Sequence, residues 1–243
     1  MTRPLYLDPD LADSDVVILG GAEGRHAATV RRTQPGEQID VANGQGLRLT
    51  IEVEAVAKSE VRGKVVRRLQ EEPPRIHLTI VQGLAKGGRS EQAVETCTEF
   101  GADAFIPWMS ERAIVRWDAA RAGKGRAKWQ DTAWAAAKQS RRAFVPRVEP
   151  VVTSPELAQL VAEFPGKVFL CHEEASQRLV DVLPHTPGPE QIMVIIGPEG
   201  GISPAEVDAL TQAGASPVLL GAHVLRSATA GAWASAVIRA KLG

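Results

Sequence analysis

The sequence predicts an α/β fold: a larger domain with a parallel sheet over residues 73–243, preceded by a small, mostly β unit over residues 1–72. Three observations carry that expectation. Ile192-Met193-Val194-Ile195-Ile196 is an unbroken apolar run, the pattern of a strand covered on both faces. From Ile76 onward, strand-patterned and helix-patterned segments alternate, as in helices packed on a parallel sheet. Before Glu71-Glu72-Pro73-Pro74, short β-patterned runs are instead separated by glycine, proline and asparagine. Neither linker proline can donate to a ladder, so the boundary falls there.

In the first unit, residues 16–19, 38–41 and 47–56 read as strands, and residues 61–69 as a further strand with basic residues interleaved. Asn43-Gly44 marks a tight hairpin. Short strands with few side chains to cover imply a small closed barrel. A brief helix is expected within residues 24–34. In the second domain the strands are residues 76–81, 104–106, 145–148, 167–171, 192–196 and 218–220. The helices are residues 89–100, 124–140 and 155–163, the last capped by Ser154. Ser203-Pro204 with Glu206 combines a cap residue, proline at the first helical position and glutamate three residues after the cap. Glycine and proline over residues 184–189 break the chain before the apolar strand, and Arg226-Ser227-Ala228-Thr229 opens a final helix.

The formal net charge is -1, from 28 basic and 29 acidic side chains in 243 residues, but the charge is unevenly spread. Residues 112–147 hold 10 basic and 2 acidic side chains, whereas residues 148–243 hold 5 and 10. A basic centre therefore sits beside an acidic C-terminal third. Cys97 and Cys171 are too few for a disulfide framework or a cysteine metal site, and no histidine–carboxylate set has metal-ligand spacing. Without 18 consecutive apolar residues or an apolar signal core, the expectation is a soluble cytoplasmic protein with no membrane partner.

In parallel sheets ligands sit beyond the carboxyl ends of strands. His172, the loop Gly197-Pro198-Glu199-Gly200-Gly201 and residues 221–226 are therefore candidates to meet around one small ligand. Neither Gly83 to Gly88 nor Gly197 to Gly201 has the lysine and hydroxyl of a phosphate cradle or a dinucleotide fingerprint. A flat heterocycle held by backbone and aliphatic groups suits them better. The same glycines also read as plain tight turns.

Gly197-Pro198-Glu199-Gly200-Gly201, with the later run Leu220-Gly221-Ala222-His223-Val224-Leu225-Arg226-Ser227-Ala228-Thr229-Ala230, closely resembles the signature of the bacterial small-subunit ribosomal RNA uridine N3-methyltransferases of the SPOUT superfamily. His26 with Val30-Arg31, Lys86 with Arg89, Glu99-Phe100-Gly101, Ser110-Glu111-Arg112 and Gln139-Ser140 with Arg142 extend the resemblance along nearly the whole chain. It implies a PUA-like RNA-binding barrel joined to a trefoil-knotted methyltransferase domain that forms a homodimer through the knot. It implies S-adenosylmethionine as donor and 3-methyluridine in 16S ribosomal RNA as product, with no DNA partner and no metal. The donor would lie against Leu170, Cys171 and His172, then Ile196 to Gly201, then Leu220, Gly221, Val224 and Leu225. Three positions depart from the family pattern: Lys138 and Ala228 replace glutamates, and His223 replaces an arginine.

Uridine N3 is mostly protonated at neutral pH, so its methylation needs the proton removed and charge on O2 and O4 stabilised. Arginine suits that task because its guanidinium stays charged and offers a rigid fork. Arg142 and Arg226 are the candidates. The first reads first as a catalytic or substrate-orienting group and second as a phosphate contact; the second reads equally as an interface or loop anchor. Glu199 either accepts from a ligand or braces its own loop. Arg31, Arg32, Arg62 and Lys64 in the first unit, and Lys86, Arg89, Arg112, Arg126 and Lys128 in the second, are candidate RNA contacts. Both basic sets also read as ordinary solvated surface. Trp129, within the basic stretch, is a candidate for base stacking. Two other readings compete: a methyltransferase of the same fold acting on a ribose 2'-hydroxyl or another RNA, and a non-catalytic RNA-binding protein.

Overall fold

In a computed structural model that describes residues 3–183 and 190–243, the chain separates into two compact units. The first is Met1–Pro73 with Ala137–Val145; the second is Pro74–Ala136 with Pro146–Gly243. The first unit is thus not one continuous stretch, and Arg142 belongs to it. The glycine and proline break expected over residues 184–189 lies outside the described residues.

The first unit contains β1 (Leu5–Leu7), β2 (Val16–Leu19), α1 (Gly21–Arg25), β3 (Gln38–Ala42), β4 (Leu47–Ala57) and β5 (Glu60–Gln70). α1 runs directly into a π-helical turn, His26–Val30, so the expected helix starts earlier and widens. The sheet order is β1-β3-β4-β5-β2, antiparallel except for β1 with β3. This ladder has two ends, and no pairing between β1 and β2 closes it among the described residues. Register shifts at Thr50/Ile51 and Val53/Ala55 curl β4 and β5 instead. Alternation along β5 sends Val61 and Val65 into the core and Arg62 and Lys64 outward. In the Asn43 turn the side-chain oxygen accepts from the amides of Gln45 and Leu47, at 2.8 and 3.1 Å. Residues 137–145 join through Gly46 N–H to the Ala143 carbonyl, 3.0 Å, and Val145 N–H to the Gly44 carbonyl, 2.9 Å.

The second unit continues with β6 (His77–Gly83), α2 (Arg89–Glu99), β7 (Ala104–Met109), α3 (Ala119–Gln139, its last three residues counted in the first unit), β8 (Arg147–Val148) and β9 (Val152–Thr153). Then come α4 (Ser154–Glu163), β10 (Lys167–Cys171), α5 (Leu179–Val182), β11 (Gln191–Ile196), α6 (Pro204–Gln212), β12 (Ser216–Val218) and α7 (Ser227–Leu242). Its sheet order is β12-β10-β11-β6-β7-β8, with β9 also paired to β7, and every pairing is parallel. β11 lies between β10 and β6, as a strand covered on both faces should. Ile192, Val194 and Ile196 pack with residues of α2, α3 and α7 on one side. Met193 and Ile195 pack with residues of α4 and α6 on the other. Each such fully buried aliphatic side chain contributes roughly 1.5–3 kcal/mol.

Helix ends follow local chemistry. α6 has the expected capping box, Ser203 with Glu206, and Pro204 in its first turn. α4 begins one residue before the expected start: Thr153 is the cap and Glu156 completes the box, because counting three residues from Thr153 reaches a glutamate and counting from Ser154 does not. Gly101 ends α2 at φ +93, a conformation that glycine adopts without strain. Arg239 crosses from α7 to the same place, donating to the Gly101 carbonyl and to Asp103. Among the described residues, no helix is long and apolar enough to cross a membrane.

Candidate active site

β12, β10, β11 and β6 are neighbours in the sheet, so the loops leaving their carboxyl ends converge. They enclose a cleft of about 870 Å³ within the second unit, lined by Cys171 to Glu174, Ile196 to Ile202 and Val218 to Ser227, with Arg89, Arg112 and Asp208. The three expected strand ends do meet. β12, however, stops at Val218, two residues short of the predicted Leu220, because Leu219 leaves the ladder to bridge Arg178.

Backbone and buried polar groups hold these loops. The buried Gln82 side-chain amide donates to Ser227 Oγ at 2.8 Å, and that hydroxyl donates to the Gly197 carbonyl at 2.7 Å. This ties the end of β6, the start of α7 and the loop after β11 in one line. His172 N–H donates to the Val218 carbonyl at 3.0 Å, and Leu219 N–H to the Gln177 carbonyl at 2.8 Å. Gly83 is required by close approach: a Cβ there would lie 2.5 Å from the backbone nitrogen of Pro198. Glu199 is held by Arg89 Nη1 at 2.7 Å and, more weakly, by the Lys86 amide at 3.4 Å. Partial burial pushes its carboxyl up, but hydrogen bonds from Arg89, its own amide and the Lys86 amide, with the Arg89 charge, leave it below the usual glutamate range. Glu199 therefore braces its loop.

Of the residues expected to hold a donor, Cys171, His172, Ile196 to Gly201, Leu220, Gly221, Val224 and Leu225 all line the cleft. Leu170 does not. Its side chain is fully buried in the core shared with α4 and α6, because alternation along β10 sends it to the sheet face opposite that of Phe169 and Cys171. Burial pushes the Cys171 thiol up, so it stays protonated and is a wall rather than a nucleophile. His172 Nδ1 accepts from the Glu174 amide at 3.3 Å.

The arginines divide. Arg226 and Arg112 are exposed on the cleft lining, and neither pairs with a carboxylate among the described residues. Arg112, read from sequence only as an RNA contact, is therefore a cleft residue. Arg89 is occupied by Glu199. Arg142 lies in the turn after α3, half-buried, with its amide donating to the Ala137 carbonyl at 2.9 Å. Lys138, one of the departures from the family pattern, pairs with Glu23 at 2.8 Å inside the first unit. His223 is exposed on the cleft, and Ala228 is buried in the first turn of α7.

Several of the basic side chains expected to meet RNA have neighbours within the chain. Arg62 lies 3.7 Å from Glu54, and Lys64 stands opposite Glu52 in the β4–β5 ladder. Arg126 Nε donates to the Val148 carbonyl at 2.7 Å, and Lys128 pairs with Glu91 at 2.7 Å. Lys86 is exposed beside the Glu199 loop. Arg31 and Arg32 are exposed just past the π-helical turn, with no carboxylate partner among the described residues. Trp129 is fully buried and packs edge-on against Trp117, so it stacks on no base. Among the described residues no group of three or more histidine, cysteine, aspartate or glutamate side chains is placed to hold a metal ion.

Comparison with known proteins agrees with this arrangement. A family described as the RNA methyltransferase domain matches residues 71–239, and one described as the RNA methyltransferase PUA domain matches residues 19–71. The ribosomal RNA small subunit methyltransferase E of Mycobacterium bovis is 44% identical over 236 residues, 96% of this chain and 89% of its own. The Bacillus subtilis protein of that name is 34% identical over 235 residues, 94% of this chain and 91% of its own. A crystal structure of the Neisseria gonorrhoeae protein of that name, bound to S-adenosyl methionine, has a TM-score of 0.85 at 27% identity and covers 98% of both chains. The chain belongs to the ribosomal RNA small subunit methyltransferase E family, in the SPOUT superfamily.

Proposed function

We propose that this chain transfers the methyl group of S-adenosylmethionine to N3 of a uridine in the decoding region of small-subunit ribosomal RNA. It would act in the cytoplasm as a homodimer joined through a knotted second unit. The observation that carries the reading is the cleft itself: three backbone-rich loops enclosing ligand-sized space, with two arginines on its lining that have no carboxylate partner among the described residues. The names of the relatives, and the donor bound to the Neisseria gonorrhoeae protein, support the same substrate pair.

The lining fits the donor. A Cβ on Gly221 would meet no protein atom within 4 Å, so that position leaves room for a ligand against the backbone. Leu219, Leu220 and Leu225 offer apolar surface to a flat heterocycle, and Glu173, Glu174 and Asp208 offer negative charge to a cation. When bound, the sulfonium supplies an electrophilic methyl group with a good leaving group. Gly197 to Gly201 and Gly221 to Leu225 orient it. Arg226 and Arg112 stabilise negative charge on the uridine carbonyl oxygens as N3 gives up its proton to solvent water. Arg142 is proposed to orient the acceptor nucleotide. Arg31 and Arg32 are the proposed phosphate contacts of the first unit.

Incubation with radiolabelled donor and small-subunit RNA, free or in assembled subunits, tests the reading. Label should enter the RNA only when the protein is present. Donor binding without transfer to either substrate would reject it, and RNA binding with no donor binding would favour the non-catalytic alternative.

A further inference from the structure

Glu206 is read from sequence only as the partner in a helix cap, yet the residue is 5% exposed and its carboxylate does more than capping requires. Its Oε2 accepts from the Ser203 amide at 3.0 Å, and Ser203 Oγ accepts from the Glu206 amide at 3.3 Å, which completes the box. Oε1 is left over. It accepts from the amide of Glu111 at 2.7 Å and from the hydroxyl of Ser154. Ser154 Oγ in turn accepts from the indole N–H of the fully buried Trp108 at 3.1 Å. One buried carboxylate thus joins the start of α6, the start of α4 and the turn after β7, none of which is adjacent in sequence to the others.

That turn carries Arg112. The Glu111 amide bonded to Glu206 is one residue before it, and the Arg112 backbone lies against the loop after β11. A Cβ on Gly200 would stand 2.9 Å from the Arg112 carbonyl oxygen, and one on Gly201 would stand 3.8 Å from Arg112 Nη1. All the donors facing Glu206 are N–H or O–H groups, so only a group accepting at both oxygens satisfies them. A buried amide donor left without a partner is costly, so the turn stays where the carboxylate puts it.

We infer that Glu206 is a positioning residue for methyl transfer: it fixes the Glu111–Arg112 turn against the Gly200–Gly201 loop and so presents Arg112 to the acceptor nucleotide. This rests on the methyl-transfer reading above. Glu206→Gln keeps the size of the side chain but turns one of its two acceptors into a donor. The Ser203 and Glu111 amides then cannot both be satisfied.

The test uses the full-length protein, with Arg112→Ala, Glu206→Gln and the double variant. Turnover and KM are measured on small-subunit RNA, donor affinity by calorimetry, and the Glu111 amide by hydrogen exchange. Glu206→Gln is expected to lower kcat about tenfold with donor affinity within about twofold of wild type, and to speed Glu111 exchange about tenfold. In the Arg112→Ala background the same change should cost less than about twofold more, because the two residues act through one contact. Ser154→Ala, which leaves the Glu111 bond in place, should keep wild-type kcat. If Glu206→Gln melts below the assay temperature, Glu206→Asp takes its place; its shorter side chain reaches the cap but not Glu111, and the same exchange and kcat changes are expected. Unchanged Glu111 exchange, or losses that multiply in the double variant, would overturn this inference while wild-type transfer stood. Wild-type protein that labels no RNA would overturn the reading beneath it, and this inference with it.

Discussion

Arg89 Nη1 lies 2.7 Å from Glu199 Oε1, linking the first turn of α2 to the loop after β11 across 110 residues of sequence. An arginine that looks like an RNA contact in the sequence thus holds the cleft in shape. Exposed pairs of this kind add little to global stability, about 0–1 kcal/mol. Arg89→Ala should therefore leave the melting temperature almost unchanged while weakening donor binding several-fold in calorimetry. The carboxyl of Glu199 titrates below the usual glutamate range, so the pair is intact above that range. It is lost as pH falls through the lowered folded-state value. The donor affinity of wild type should fall over that acid window, and that of Arg89→Ala should respond less.

Two cleft glycines separate folding from binding. A Cβ on Gly197 would come within 2.6 Å of Ile202 Cγ1, so Gly197→Val should destabilise the protein by about 1–3 kcal/mol through overpacking. A Cβ on Gly221 meets nothing within 4 Å, so Gly221→Val should fold normally. It should nonetheless lose about tenfold or more in donor affinity, because its side chain occupies space proposed for the ligand. Chemical denaturation and calorimetry on both variants check this. Normal affinity in Gly221→Val would remove that loop from the donor site.

Charge stabilisation predicts its own kinetic signature. Arg226→Ala and Arg112→Ala should each lower kcat by roughly 10- to 1000-fold with donor affinity nearly unchanged, because the charge they face develops only as N3 is deprotonated. Arg142→Ala should show the same loss if it orients the acceptor. Raised RNA KM with normal kcat would instead assign it to phosphate binding.

RNA affinity should depend on Arg31 and Arg32 more than on arginines that already face a carboxylate. Replacing these two by alanine should flatten the slope of log affinity against log salt by about one unit for each phosphate no longer neutralised. Arg62→Ala should change it less, since Glu54 already lies 3.7 Å from that guanidinium. Filter binding over a salt series distinguishes the two.

Much of this molecule is legible from local pattern. The apolar run at Ile192 to Ile196 is a central strand, and Ser203, Pro204 and Glu206 start α6 as their chemistry demands. The cleft-forming loops follow from glycine-rich strand ends in a parallel sheet. What is not legible depends on partners far apart in sequence. Arg62 and Lys64 look like a basic stripe until β4 places Glu54 and Glu52 beside them. Leu170 looks like part of a strand end until its alternation turns it into the core. Three-residue β1 is too short for any periodicity to show, and nothing in residues 137–145 signals that they join the first unit. Glu206 reveals its cap in sequence but not its second oxygen, because Glu111 lies 95 residues away.

The proposed reaction turns on the acceptor atom, which is read directly by digesting treated small-subunit RNA to nucleosides and separating them by liquid chromatography with mass detection. The donor-derived methyl should appear as 3-methyluridine, absent when the protein is omitted and strongly reduced with Arg226→Ala. A methyl group on a ribose 2'-oxygen, or on any base other than uridine, would contradict it.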